Sequence, residues 1–302
     1  MIRYCATAAV LKAFSLSSPT RRLYRGLGNS VGGRQRASGK MPSYYFSRVQ
    51  RMLRLSKTLG VPHDGARLLE LGTGWLHWEA ITTRLFFDVR GVLYDVWDNR
   101  QLDGLKNYLR QLKPLIDRVD VEPARRTQAL SLMARMEHIT DYQELYELLG
   151  FTYVVDAEGV LGEIERDSVD LIVSAGVLEH VYAKAAPSLV GAMAGVLKRG
   201  GYSVHSINIR DHLYQYDPTV SPKQYLQYSD WMWQTFFQND VQYINKLQRC
   251  DWLRLFESAG LTLVDETVEA VDLAGVKVAE TYRRYADVDL ACGGLSIVHR
   301  RR

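Results

Sequence analysis

The stretch Leu68-Leu69-Glu70-Leu71-Gly72-Thr73-Gly74-Trp75, "LLELGTGW", decides how the rest of the chain is read. An apolar run of strand length ends in two glycines one residue apart. That spacing lets the backbone turn sharply and approach a ligand that any side chain would hold off. A dinucleotide site calls for Gly-x-Gly-x-x-Gly, with a pyrophosphate on a helix N-terminus. Here the third position is His77. Glu70, two residues before the first glycine, would repel a pyrophosphate and suits a cationic ligand.

Outward from this turn, strand and helix patterns alternate. Arg67–Leu71 reads as the first strand and Trp78–Phe87 as a helix. Gly91–Trp97 is the second strand, followed by helical stretches over 100–116 and 126–149. "FTYVVDAE" (Phe151–Glu158) is the third strand and "VDLIVSAGV" (Val169–Val177) the fourth. A helix over 185–197, a turn at "KRGG" (Lys198–Gly201) and a fifth strand, Tyr202–Ile209, come next. This alternation predicts an α/β fold: a doubly wound, Rossmann-like, mostly parallel seven-stranded sheet covered on both faces. Residues 211–247, crowded with Tyr, Trp and Phe, break the rhythm and read as an aromatic-rich helical insertion after strand 5. A helix at Cys250–Ser258 and strands near Leu261–Val268 and Leu295–His299 close the chain. The division expected is a basic arm and helix over 1–60 and a cofactor-binding domain over 61–302.

Ligands of such sheets bind beyond the carboxyl ends of the strands. Three acids occupy those ends. Glu70 belongs to the first strand. Asp95 ends the second, where a carboxylate can accept both hydroxyls of an adenosine ribose, and Asp98 three residues on can do the same work. Asp156 follows the third strand, where a carboxylate can accept from an adenine amino group while the Ala157 N–H meets a ring nitrogen. S-adenosyl-L-methionine, with an ammonium and a sulfonium, is the cofactor these acids suit. Gly72, Thr73, Gly74 and Trp75 of the turn, and Ser174 in the fourth strand, complete the expected lining. Taken singly, a Gly-x-Gly turn can be structural and a strand-end Asp can cap the next helix.

"LLELGTGW", "YDVWDNRQL", "FTYVVDAEG", "VDLIVSAGVLEHV" and "LKRGGYSVHSI" resemble the successive motifs of class I S-adenosylmethionine-dependent methyltransferases, over roughly residues 60–302. "LIVSAGVLEHV" and "LKRGG" are especially like the small-molecule branch. "LGTGW", "DNRQL" and "RDHLY", with Asn245 near Arg249, are similar to bacterial methyltransferases associated with surface-polysaccharide synthesis. In two places the sequence departs from the pattern: Leu76 stands where many members carry a third glycine, and Arg199 replaces a proline. The resemblance implies an enzyme that methylates a small-molecule or glycan acceptor, most readily at oxygen.

A hydroxyl acceptor needs its proton removed, and His is suited to that near neutral pH. His180, directly after the fourth strand, lies where the family's substrates approach. Asp211 and His212 end the fifth strand and offer the alternatives. Each has a plain structural reading as well, a helix start or a loop cap. His205, inside the fifth strand, reads as a core residue. The three cysteines (Cys5, Cys250, Cys292) offer no metal spacing and no disulfide framework. No metal is expected, and a reducing, cytoplasmic setting is.

Charge is uneven along the 302 residues. The first 62 carry 12 Lys or Arg and no acid, while the remaining 26 bases face 34 acids. A basic arm suggests an anionic partner. We read its start as a retained basic amphipathic segment that lies on the protein or on a membrane surface, with a mitochondrial transit peptide as the alternative, and residues 19–42 as linker or loop. Residues 1–57 are expected to bring the protein to an anionic membrane surface holding a lipid-linked acceptor. RNA remains an alternative partner for the arm, and a non-catalytic cofactor-binding scaffold an alternative role. DNA is not expected, because the fourth strand ends "SAGVLEH" and lacks the Asn/Asp-Pro-Pro-Tyr/Phe motif of amino-methylating DNA enzymes. A dehydrogenase is disfavoured by Glu70 and the missing third glycine.

Overall fold

The computed structural model describes residues 1–302. The elements in chain order are helices α1 (Ile2–Ser15), α2 (Ser18–Ser38) and α3 (Ser43–Leu59), strand β1 (Arg67–Leu71), α4 (Trp78–Phe86), β2 (Arg90–Asp95) and α5 (Leu102–Leu112). Then follow α6 (Pro123–Met136), α7 (Tyr142–Leu149), β3 (Phe151–Val155), β4 (Val169–Ala175), α8 (Ala186–Val196) and β5 (Leu197–Asn208). After the insertion, with its short α9 (Asp230–Met232), come α10 (Arg249–Ser258), β6 (Leu261–Ala270), α11 (Asp287–Leu290) and β7 (Cys292–Arg301).

The strands form one mixed seven-stranded sheet in the order β3-β2-β1-β4-β5-β7-β6. β1 pairs in parallel with β2 on one side and β4 on the other, and β2 with β3. The order therefore reverses between β1 and β4, which puts a ligand crevice beyond their carboxyl ends. Leu68, Leu69, Leu171 and Ile172 are wholly buried, as continuous apolar runs in the middle of a parallel sheet should be.

Two compact units divide the chain: Gly28–Ser174 with Ala192–Val204 and Arg301–Arg302, and Met1–Leu27 with Ala175–Gly191 and His205–Arg300. The first holds the glycine turn, the second the aromatic insertion. In the second, Tyr225, Leu226, Trp233, Phe237, Ile244 and Tyr282 form an apolar cluster that takes in Tyr4, Ala8 and Leu11 of α1. Lys12 is tied to the carbonyls of Gln234 and Thr235.

Several expectations need correction. Residues 19–42 are not a linker: α2 spans most of them. Its glycines cost about 1 kcal/mol each in an isolated helix, so neighbours must hold it. Asn107 and Gln111 of α5 do so by donating to the carbonyls of Arg36 and Gly39 at its C-terminal end. The helix expected over 126–149 is two helices, α7 beginning where the Asp141 carboxylate caps Glu144 N. "KRGG" is not a turn before the fifth strand but its first part. The expected amphipathic start, by contrast, forms a helix, α1, that lies on the protein with Tyr4, Ala8 and Leu11 buried.

Candidate active site

The glycine turn leaves β1 with Gly72 and Gly74 at φ of 65° and 58°, a left-handed backbone that side chains disfavour. A Cβ built on Gly74 would stand in open space, meeting only the Gly72 carbonyl at 4.0 Å. The backbone thus bounds a cradle that a side chain would fill. His77, at the position of the missing third glycine, also adopts the left-handed conformation, at φ 49°. It is fully buried and its Nε2 meets the Tyr146 hydroxyl at 3.0 Å. Burial, with Arg100 nearby, lowers the imidazole to about 3, so it is a neutral plug at the start of α4.

Asp95 ties this turn to the end of β2. One carboxylate oxygen accepts from Gly74 N and the other from Val96 N, both at 2.8 Å. The Trp97 N–H also bonds to this carboxylate, whose roughly four lone-pair sites leave room for a further donor. Burial raises its pKa while those N–H donors oppose the rise. Asp98 sits differently: Arg100 clasps it through two nitrogens, at 2.8 and 2.6 Å, and this lowers its pKa. Of the two ribose candidates, Asp95 is the one bonded to the turn.

Glu70 is 2% exposed and accepts from Ala80 N at 2.9 Å, in the first turn of α4. An anion there complements the positive helix end. Burial, reinforced by the Glu79 charge, raises its pKa. Its visible work is to fix α4 beneath the turn, where the sequence suggested a partner for a bound cation. Asp156 accepts from the Tyr94 hydroxyl and from Glu158 N and Val160 N, shaping the turn that carries Ala157. Ser174 is buried in β4 and Thr73 N donates to the Tyr94 carbonyl. Trp75 is 40% exposed. What meets it was not expected: Asn29 and Arg36 of α2. The Asn29 side chain accepts from Trp75 Nε1 at 3.1 Å, and the Arg36 guanidinium lies 3.9 Å above the ring. The absence of proline between Thr20 and Met41, with Leu23, Leu27 and Val31 at helical spacing, was the available signal.

The second unit holds a different cluster. Glu179, His180 and His212 bring ligand atoms within 4.8 Å of one another. Glu179 is 4% exposed. One of its oxygens accepts from Asn208 N at 3.1 Å, while Oε2 has no partner. Burial pushes this carboxyl up to about 7. His180 Nδ1 lies 2.7 Å from the Tyr243 carbonyl. A carbonyl only accepts, so Nδ1 carries the proton and Nε2 the free lone pair. His212 Nε2 faces the Asn208 amide nitrogen at 3.3 Å. Arg210 N fixes that amide by donating to its oxygen, so the nitrogen donates and His212 Nε2 accepts. Desolvation by the surrounding protein lowers both imidazoles, His212 to about 3 with His180 adding to it, while His180 keeps an exposed edge. A carboxylate with two neutral imidazoles can move protons, and as a donor set can also hold a divalent ion.

Asp211 does not join them. It is fully buried, with its oxygens taken by the Tyr4 hydroxyl at 2.6 Å and Leu213 N at 2.9 Å. Expected as a candidate base, it instead caps the 3-10 turn His212–Tyr216. His205 is a core residue, fully buried with its ring 5.2 Å from Phe256.

A family profile described as "Methyltransferase domain" matches residues 38–266. No curated protein matches the sequence. Among solved structures, the chain is similar to a putative methyltransferase of Haloferax volcanii, in complex with the Trm112 methyltransferase activator. The identity is 17% and the TM-score 0.44, over 89% of this chain and 96% of that one. It is similar to a phosphoethanolamine N-methyltransferase of Haemonchus contortus with S-adenosyl-L-methionine, at 15% identity and TM-score 0.46. That match covers 83% of this chain and 52% of the other. A TehB-like methyltransferase of Corynebacterium glutamicum shares 14% identity at TM-score 0.43, over 95% of this chain and the whole of that one.

Proposed function

Since the chain belongs to the methyltransferase-domain family and is an S-adenosylmethionine-dependent methyltransferase, we propose that it methylates a hydroxyl of a small molecule or glycan, with His180 as general base. The observation that carries this reading is the His180 Nδ1 contact to the Tyr243 carbonyl, which leaves Nε2 the accepting atom. The cradle fits the cofactor. Gly74 leaves the space that a side chain would close, Asp95 has lone-pair capacity for a ribose hydroxyl, and the turn at Asp156 and Ala157 suits the adenine edge. When bound, S-adenosylmethionine supplies a methyl group already activated on a sulfonium.

The chain's own residues then have three tasks. The cradle holds the donor so that both partners align within about 3–3.5 Å of reaction distance. His180 Nε2 takes the acceptor proton. Glu179, bonded to Asn208 N and carrying one unpartnered oxygen, orients the acceptor hydroxyl or the His180 ring. A glycan tied to a lipid is the acceptor class we favour. The basis is α2, which buries no residue and leaves Leu23, Leu27 and Val31 more than half exposed beside the exposed Arg22 and Arg34. No helix is long and apolar enough to cross a membrane, so contact with lipid would be at its surface.

The test is transfer of an isotopically labelled methyl group to paired acceptors that differ only in carrying a hydroxyl or an amine. Preference for the hydroxyl partner of each pair supports the reading. Equal or better transfer to the amines overturns the oxygen assignment.

A further inference from the structure

Arg36 holds a buried cationic edge for which the protein provides no anion. The guanidinium Nε donates to Gln101 Oε1 at 2.7 Å, and its face lies on Trp75, the residue that follows the second glycine of the turn. Nη2 is buried and has no acceptor. Room for it is kept by Gly32, where a Cβ would stand 2.7 Å from Nη2. On the other side Gly104 of α5 lets the arginine stem approach, since a Cβ there would come within 3.0 Å of Arg36 Cβ. Burial lowers the pKa of Arg36, and the nearby groups that favour its charge are phenols, Tyr45, Tyr108 and Tyr44. A buried donor left unpaired costs about 1–3 kcal/mol, and more when it is charged. A charged group left so, beside the glycine turn, calls for a ligand.

We propose that Arg36 binds the α-carboxylate of the cofactor's amino-acid end, so that α2 is a wall of the cofactor site. The inference rests on the glycine turn being the cofactor cradle. Arginine suits the task because its planar fork meets a carboxylate through two parallel hydrogen bonds. Gln101 and Asn29 are positioning residues. Gln101 holds Nε, and Asn29 holds the Trp75 indole on which the guanidinium lies.

The experiment removes the carboxylate from the ligand as well as the arginine from the protein. S-adenosylhomocysteine and its decarboxylated counterpart are titrated calorimetrically into the wild-type chain and into Arg36→Gln. Wild type should prefer the carboxylated ligand at least tenfold, about 1.4 kcal/mol, and Arg36→Gln should lose that preference while still binding the decarboxylated form. A wild type that does not discriminate overturns the proposal, and this arm needs no variant to fold. So does an Arg36→Gln chain that keeps the full preference. A wild type that binds neither ligand removes the cradle reading beneath the proposal, which is a different result from binding both equally.

Discussion

The glycine-turn cradle and the Glu179–His180–His212 cluster hold their carboxylates in different ways. At the cradle, Asp95 has both oxygens bonded to backbone N–H groups and Glu70 is bonded to the start of α4. At the cluster, Glu179 keeps an unpartnered buried oxygen and two neutral imidazoles stand 5.0 Å apart, ring to ring. A backbone-bonded site is shaped before its ligand arrives and loses little on binding. Unpaired groups carry a standing cost, and they are available for chemistry. The difference accords with the proposed function, in which the first region binds and the second handles the proton.

The sharpest way to break that assignment is His180→Ala. If the cluster handles the proton, turnover should fall by about 10²–10⁴-fold, the usual worth of a general base, with cofactor affinity unchanged by calorimetry. In wild type the acid limb of the rate profile should lie below pH 6.5, because desolvation by the surrounding protein disfavours the imidazolium. Parallel losses of turnover and cofactor affinity would place His180 in the cradle's account.

Glu179→Gln probes the standing cost. Burial raises the folded carboxyl from 4.5 to about 7, so the native state holds its proton longer than the unfolded chain does. The cost is absent below about pH 4.5, grows as pH rises through that interval, and is complete above about 7. The amide should therefore stabilise the protein at pH 8 by roughly 3 kcal/mol at most, and have little effect at pH 4. Melting temperatures of both chains at the two pH values check this. Equal shifts at both would mean that the folded carboxyl keeps its ordinary pKa and carries no burial cost. Turnover should fall even where stability rises, as expected for a functional site that carries strain.

Much of the cradle could be read in the sequence because its signals are local. Glycine spacing, a strand-end acid and β periodicity each depend on a few adjacent residues, and β1 runs over Arg67–Leu71 as expected. The cluster was only half legible. His180 is adjacent to β4 in sequence, but its tautomer is set by Tyr243, 63 residues away. Asp211 looked the same as a base until Tyr4, 207 residues distant, took its oxygen. The α2 helix was missed because its glycines and arginines carry loop propensities. Its stability comes from α5, through side chains that cap its carbonyls.

Asp95→Ala sharpens the comparison from the other side. A preformed cradle should lose at least tenfold in affinity for S-adenosylmethionine, about 1.4 kcal/mol. The loss should appear in binding and in KM, with turnover at saturating cofactor much less affected. The same variant frees Gly74 N and Val96 N, so the melting temperature should drop as well. Loss of turnover alone would contradict the division of labour drawn here.

The smallest effect concerns α2, which serves both comparisons. One face meets the cradle through Asn29 and Arg36. Leu23, Leu27 and Val31 lie 56%, 51% and 64% exposed, on a stretch whose only charges are positive. Exposed leucines beside arginines can enter a headgroup layer while each cation near an anionic surface adds about 1 kcal/mol. Replacing all three with serine should reduce co-sedimentation with phosphatidylserine-containing vesicles several-fold, and salt should weaken what remains. Neutral vesicles should retain little of either chain. Because these side chains are exposed, the replacement should leave the melting temperature and cofactor affinity nearly unchanged. A fall in cofactor affinity would show that the outer face of α2 also holds the cradle. Unchanged sedimentation would leave the arm's charge without a lipid role and turn attention to RNA, whose binding would show the steeper salt dependence of phosphate contacts.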